Sequence, residues 1–123
     1  MRVLVIEDDL GIRQTVQEVL EHAGHDVRVA PDGTHGLTAI DRGAYDVVLL
    51  DLMLPFMSGD EILREMRKSD WGKDIKAIFL TNISEAEAPD GIEELQFERY
   101  IVKANIMNDQ LTQIIAETIQ APA

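Results

Sequence analysis

Short apolar runs recur along the chain at residues 3–6, 27–29, 47–50, 75–80 and 100–102. Their length and their wealth of Val, Ile, Phe and Tyr predict five strands. Between the runs the apolar spacing changes to that of a helix. Ile12, Val16, Val19, Leu20 and Ala23 fall on one face of a 3.6-residue period, and Gly24 stands where a helix would be capped. Leu37 with Ile40 marks a second helix, Ile62, Leu63 and Met66 a third, and Met107, Leu111, Ile114, Ile115 and Ile119 a last one. The gap over 84–95 is interrupted by Pro89 and Gly91. It predicts only a short or loosely anchored helix beginning near Pro89, since proline fits a first turn.

Strands alternating with helices predict an α/β fold, a parallel sheet wrapped on both faces. Residues 3–6 and 47–50 are apolar throughout, as strands covered on both sides must be, whereas Val27-Arg28-Val29 alternates like an edge strand. An edge second strand beside central first and third strands matches the flavodoxin-like, doubly wound (βα)5 order 2-1-3-4-5. Its ligand crevice lies past the carboxyl ends of strands one and three.

At 123 residues and 46% hydrophobic, the sequence suits one domain, expected over 1–121 with no output domain in this chain. The 23 acidic against 11 basic residues give a net charge of −12, which repels nucleic-acid phosphates and anionic lipid, so neither direct nucleic-acid binding nor a membrane is expected. The absence of cysteine removes disulfides and thiolate metal sites. No run reaches the ~20 apolar residues of a membrane span or resembles a signal peptide, so a cytoplasmic protein is expected.

The residues just past the strand ends carry the chemistry: Glu7 and Asp8, Asp51, Thr81 and Lys103. Carboxylates from two adjacent strands raise one another's pKa unless a cation joins them. Mg2+ takes oxygen ligands, retains waters and shares its shell with phosphate, which suits this group. A carboxylate can also attack phosphorus when metal and a fixed cation neutralise the transferred charge. Lys103 fits the fixed cation and Thr81 supplies a hydroxyl donor.

Four motifs, VLVIEDD at 3–9, VVLLDLMLPFMSG at 47–59, LTN at 80–82 and YIVKA at 100–104, resemble the receiver domain of bacterial two-component response regulators over almost the whole chain. The resemblance implies that Asp51 is the phosphoacceptor, with a sensor histidine kinase or histidine phosphotransfer protein as donor. It implies Mg2+ bound by Asp8, by Asp51, by Glu7 through water and by the Met53 backbone carbonyl. Thr81 and Lys103 would contact the phosphoryl group, and Thr81 with Tyr100 would form the switch pair. Pro55 and Gly59 match the family's loop after the acceptor. Such a domain catalyses its own phosphorylation, with self-dephosphorylation compatible, and is not otherwise an enzyme. Its output is a protein-binding surface on the fourth helix, fifth strand and fifth helix, with 84–95 as the responsive segment and a downstream protein target the sequence does not name.

Each residue also has a plainer role. Asp9 suits an N-cap, Thr81 a strand end or cap, Lys103 a side chain snorkelling from an edge, and Tyr100 packing. His22 and His25 with Glu21 read as surface residues, because Gly24 breaks the helix between them. Ala104 replaces the family's usual cis-proline after the lysine, leaving the isomer of that bond open. Asn82 is larger than the family's usual residue and narrows access to the acceptor, and Ser58 stands where aspartate is common. Ala104 and Asn82 favour the alternative, a receiver-like module that binds partners without phosphorylation. A phosphohydrolase with an aspartate nucleophile would need a second acid two residues on, where this chain has Met53, and neither GxxxxGK[ST] nor GxGxxG occurs.

Overall fold

The computed structural model describes residues 2–42, 45–70, 72–103 and 108–120. Ala104, the isomer of the Lys103–Ala104 bond, Met107 and residue 121 lie outside them, as do the side chains of Ile115 and Ile119. Strands β1 (Arg2–Ile6), β2 (Asp26–Ala30), β3 (Val47–Leu50), β4 (Lys76–Thr81) and β5 (Arg99–Val102) form one sheet in the order β2-β1-β3-β4-β5. Every neighbouring pair is parallel. The helices are α1 (Leu10–His22), α2 (Gly33–Arg42), α3 (Gly59–Lys68) and α4 (Asn108–Gln120).

Successive strand residues point to opposite faces, so continuously apolar strands build two cores at once. Leu4, Ile6, Val48 and Leu50 join Ile40 of α2 and Ile62, Leu63 and Met66 of α3 on one side. Val3, Val5, Val47 and Leu49 join Val16 and Leu20 of α1 and Leu111 of α4 on the other. Each fully buried aliphatic side chain contributes about 1.5–3 kcal/mol, which makes the two-sided packing the main restraint on strand position. The edge strand β2 departs as expected: Arg28 and Val29 are exposed while Val27 and Ala30 are buried.

Helix α1 starts where the Asp9 carboxylate accepts the Ile12 N–H at 3.0 Å. It stops at Gly24, whose φ of 97° L side chains rarely adopt. There the Gly24 and His25 N–H groups donate to Glu21 and Leu20 carbonyls at 3.0 and 3.1 Å, closing the helix. Asp32 begins α2 in the same way, accepting the His35 N–H at 2.9 Å.

The fourth gap differs from the expected single helix. Two 3-10 turns occupy it, η1 (Glu85–Glu87) and η2 (Ile92–Leu95), the second beginning three residues past Pro89. Proline forces Ala88 into an extended conformation, with ψ of 155°, and Gly91 enters η2 with a φ of 81°. The segment is nevertheless well anchored. Ile92 and Leu95 are buried, and Arg67 of α3 donates to the carbonyls of Leu95 at 2.9 Å and Gln96 at 3.0 Å. The same guanidinium also donates to Ile75 at 2.7 Å, Lys73 at 3.2 Å and Gly72 at 3.3 Å.

Replacing Arg67 would strand several of these acceptors at once, and each buried polar group left unpaired costs about 1–3 kcal/mol. Arg67→Ala is expected to destabilise the domain by about 3 kcal/mol in urea unfolding. Arg67→Lys should recover little of the loss, because an ammonium lacks the planar fork.

Candidate functional site

The strand register brings the predicted residues together. Ile6 pairs with Leu50, and the ladder runs one residue further, with the Asp51 N–H donating to the Ile6 carbonyl at 3.3 Å and the Glu7 N–H to Ala30 at 3.0 Å. Glu7 and Asp51 therefore leave the sheet side by side. Thr81, the last residue of β4, pairs with Val102, so Lys103 emerges on the same rim from the far edge.

Lys103 reaches back across the rim. Its Nζ donates to Asp51 Oδ2 at 2.7 Å and to Glu7 Oε2 at 2.8 Å, with all three side chains nearly buried. The second oxygen of each acid accepts a backbone N–H, Asp51 Oδ1 from Met53 at 3.0 Å and Glu7 Oε1 from Asp9 at 3.1 Å. Asp8 is exposed at the mouth, and single carboxylate oxygens of Glu7, Asp8 and Asp51 lie within 4.8 Å of one another. Among the described residues no other group of three or more acids or histidines converges this way. His22 is exposed and His25 half-buried, and neither belongs to this group.

The electrostatics are unbalanced. Burial pushes the Glu7 carboxyl above its ordinary value, a rise that the bond and charge of Lys103 oppose and the Asp51 charge reinforces. For Lys103, burial disfavours the ammonium, but its bonds to Asp51 and Glu7 prevail and hold its pKa above the usual lysine value. One cation thus serves two buried carboxylates with a third beside them. Hard oxygen donors with surplus negative charge fit a small divalent cation.

Thr81 is buried, and its Oγ1 accepts the Ile83 N–H at 3.4 Å. Tyr100 packs against Phe79 and Phe97 and donates its hydroxyl to the carbonyls of Ile83 at 2.7 Å and Ser84 at 3.3 Å. Burial raises its pKa, reinforced by Glu85. The two residues of the expected switch pair thus hold opposite ends of Ile83, through its N–H and its carbonyl. Sequence reasoning missed Ile83 because it acts through backbone atoms. It also missed Arg13, whose Nη1 donates to the Glu7 carbonyl at 3.1 Å; its place in the first turn of a helix leaving the rim was the available signal.

Gly59 closes the loop after Asp51, its N–H donating to Leu52 at 3.1 Å. A Cβ there would lie 2.2 Å from the Asp51 carbonyl oxygen, a contact no side chain can make.

A flavodoxin-like sheet with three acids and a lysine on its carboxyl rim defines the receiver class of signalling domains, and comparison with known proteins agrees. The family described as the response regulator receiver domain matches residues 3–116. The transcriptional regulatory protein DltR of Streptococcus agalactiae is 38% identical over 98% of this chain and 53% of its own length. Among solved structures, the response regulator TrrA of Thermotoga maritima in complex with Mg2+-BeF superposes with a TM-score of 0.83 at 32% identity, over 95% of this chain and 97% of that one. The chemotaxis response regulator CheY4 of Vibrio cholerae does so with a TM-score of 0.87 at 26% identity, over 95% and 97%. The chain belongs to the response regulator receiver domain family, and its function is that of a receiver in two-component signalling.

The chain spans about half the length of the curated relatives it matches. DltR, a transcriptional regulatory protein, corrects the expectation from net charge of no direct nucleic-acid binding. A charge of −12 summed over 123 residues describes repulsion at their own surface. It is silent about what the remaining length of such a regulator engages. No helix among the described residues is long and apolar enough to cross a membrane.

Lys103→Met should destabilise the domain by about 3 kcal/mol at pH 7, the usual cost of leaving a buried ion pair half made. Without the ammonium, Glu7 rises further above its unfolded value of 4.5. A carboxyl raised on folding contributes stability that is full below the unfolded pKa and is lost as pH climbs through the folded one. The deficit against the parent should therefore be largest at neutral pH and shrink as pH falls toward 4.5, which thermal melts across that range would read.

Proposed function

We propose that Asp51 accepts a phosphoryl group from the phosphohistidine of a sensor kinase or histidine phosphotransfer protein. The observation that carries this is the buried Asp51 carboxylate held by Lys103 at 2.7 Å beside Glu7 and Asp8. A carboxylate oxygen attacks phosphorus, the new P–O bond forms as the P–N bond breaks, and the electron pair stays on the imidazole, which takes up a proton. Lys103 stabilises the charge on the phosphoryl oxygens, and the Thr81 hydroxyl offers a donor at the same rim. The domain itself supplies these groups, so it acts as catalyst of its own phosphorylation.

Asp8 and Asp51 suit direct Mg2+ ligands, Glu7 a ligand through water, and the Met53 carbonyl a further oxygen; when bound, the ion neutralises phosphoryl charge and orients the group. The bonds of Lys103 to Glu7 and Asp51 hold those two carboxylates in place beforehand.

Drawing Thr81 toward a phosphoryl oxygen would release the Ile83 N–H, one Cα away from the carbonyl that Tyr100 holds. That shared residue supports Thr81 and Tyr100 as the switch, passing phosphorylation to the 84–95 segment and β5 by differential contacts in two states. Residues 1–121 act as one receiver unit in the cytoplasm, and by analogy with DltR the signal it carries is read out in transcription.

Two measurements test this. Incubation with acetyl phosphate and Mg2+ should add a single phosphoryl group by intact mass, and the adduct should vanish in Asp51→Asn and without metal. An Asp51→Asn protein that still gains the group would overturn the assignment, and a parent that neither gains it nor binds fluoroberyllate would be a receiver-like module instead. Mg2+ should stabilise the parent by about 0.4 kcal/mol when its free concentration equals Kd, and Asp8→Ala should abolish that shift.

A further inference from the structure

Among the described residues four large apolar side chains stand exposed: Leu10, Val29, Met53 and Phe56. Three of them belong to the acidic rim. Leu10 follows Asp8 and Asp9 at 56% exposure, Met53 lies two residues past Asp51 at 63%, and Phe56 lies five past it at 89%. Phe56 is also the residue whose conformation is hardest to explain by folding. Its φ is 69°, and the Met57 N–H donates to the Pro55 carbonyl at 2.8 Å, so the chain makes a three-residue turn with a bulky residue at its strained centre. Glycine would make this turn without strain, and a polar residue would avoid displaying an aromatic ring to water. Phe56 incurs both costs and packs into neither core.

The loop that carries this ring leaves the rim at Asp51. Its neck is pinned by Gly59 against Leu52, so Phe56 is held at the apex of a short loop that starts from Asp51. Asp51 itself is 5% exposed. A protein that delivers a phosphoryl group to it has to settle on the rim and cover what projects there.

We propose that Phe56 is a specificity-determining residue for the phosphodonor, a preset aromatic anchor that enters an apolar pocket on a phosphohistidine-bearing protein, with Met53 and Leu10 flanking it. Strain stored at the turn keeps the ring presented, which lowers the ordering cost of association. Glu7, Asp8 and Asp9 lie on the same rim, so the matching pocket is bordered by Lys or Arg, and association slows as salt is added. This rests on the phosphoacceptor reading above.

The test compares the parent with Phe56→Gly and Phe56→Trp. Small-donor phosphorylation by acetyl phosphate is measured beside transfer from a panel of purified kinase fragments and phosphotransfer domains, each phosphorylated on histidine. Phe56→Gly should melt no lower than the parent and react equally with acetyl phosphate. From the panel's fastest donor for the parent, its KM should rise at least tenfold with kcat little changed, and Phe56→Trp should restore most of the loss. Equal protein-to-protein transfer by parent and Phe56→Gly across the panel, zero included, overturns the proposal, as does a marked fall in melting temperature, which would make Phe56 a structural residue. Failure of the parent with acetyl phosphate would instead count against the phosphoacceptor reading.

Discussion

Three carboxylates crowded onto one end of a parallel sheet are the constraint around which the rest of this molecule is arranged. Parallel strands with right-handed crossovers send their carboxyl ends to one rim, and here β1 and β3 deliver Glu7, Asp8 and Asp51 there side by side. The lysine that answers them comes from β5, the far edge. Its bonds to Asp51 and Glu7 at 2.7 and 2.8 Å therefore tie the first strand to the last. The site closes the sheet electrostatically from above, and the two apolar cores fix strand positions from either side.

The two halves of the domain are secured differently. In one, β1 and β3 pack with α1, α2 and α3, and Asp9, Asp32 and Gly24 secure helix ends. The other begins at Thr81. There the chain gives up regular helix for two 3-10 turns, held at one end by the Tyr100 hydroxyl on Ile83 and Ser84 and at the other by Arg67 on Leu95 and Gln96. Side chain-to-backbone bonds of this kind can be exchanged one at a time, unlike a packed α-helix.

Much of this was legible in the sequence, because its signals are local and periodic. The all-apolar 47–50 run could only be a central strand, the alternating 27–29 run only an edge, and acids ending such strands announced the site. Where the sequence misled, several forces competed. Pro89 and Gly91 correctly signalled a broken helix, yet the anchoring by Arg67 depends on carbonyls 28 and 29 residues away, and no periodicity encodes that. Ile83 was invisible because its contribution is made by its backbone N–H and carbonyl, and the strain at Phe56 because a sequence does not print φ. Net charge misled about partners for another reason, since it is a property of the residues counted and not of the regulator they resemble.

Gly59 carries a lesson about how such a loop can change over time. With no room for even one carbon between it and the Asp51 carbonyl, the neck of the loop and the backbone of Asp51 form one inflexible joint. Room for change lies at the apex, at Phe56, whose side chain packs into neither core and is almost fully exposed. The fold thereby sets side by side an unyielding joint beneath the acidic rim and an exposed apex only a few residues away.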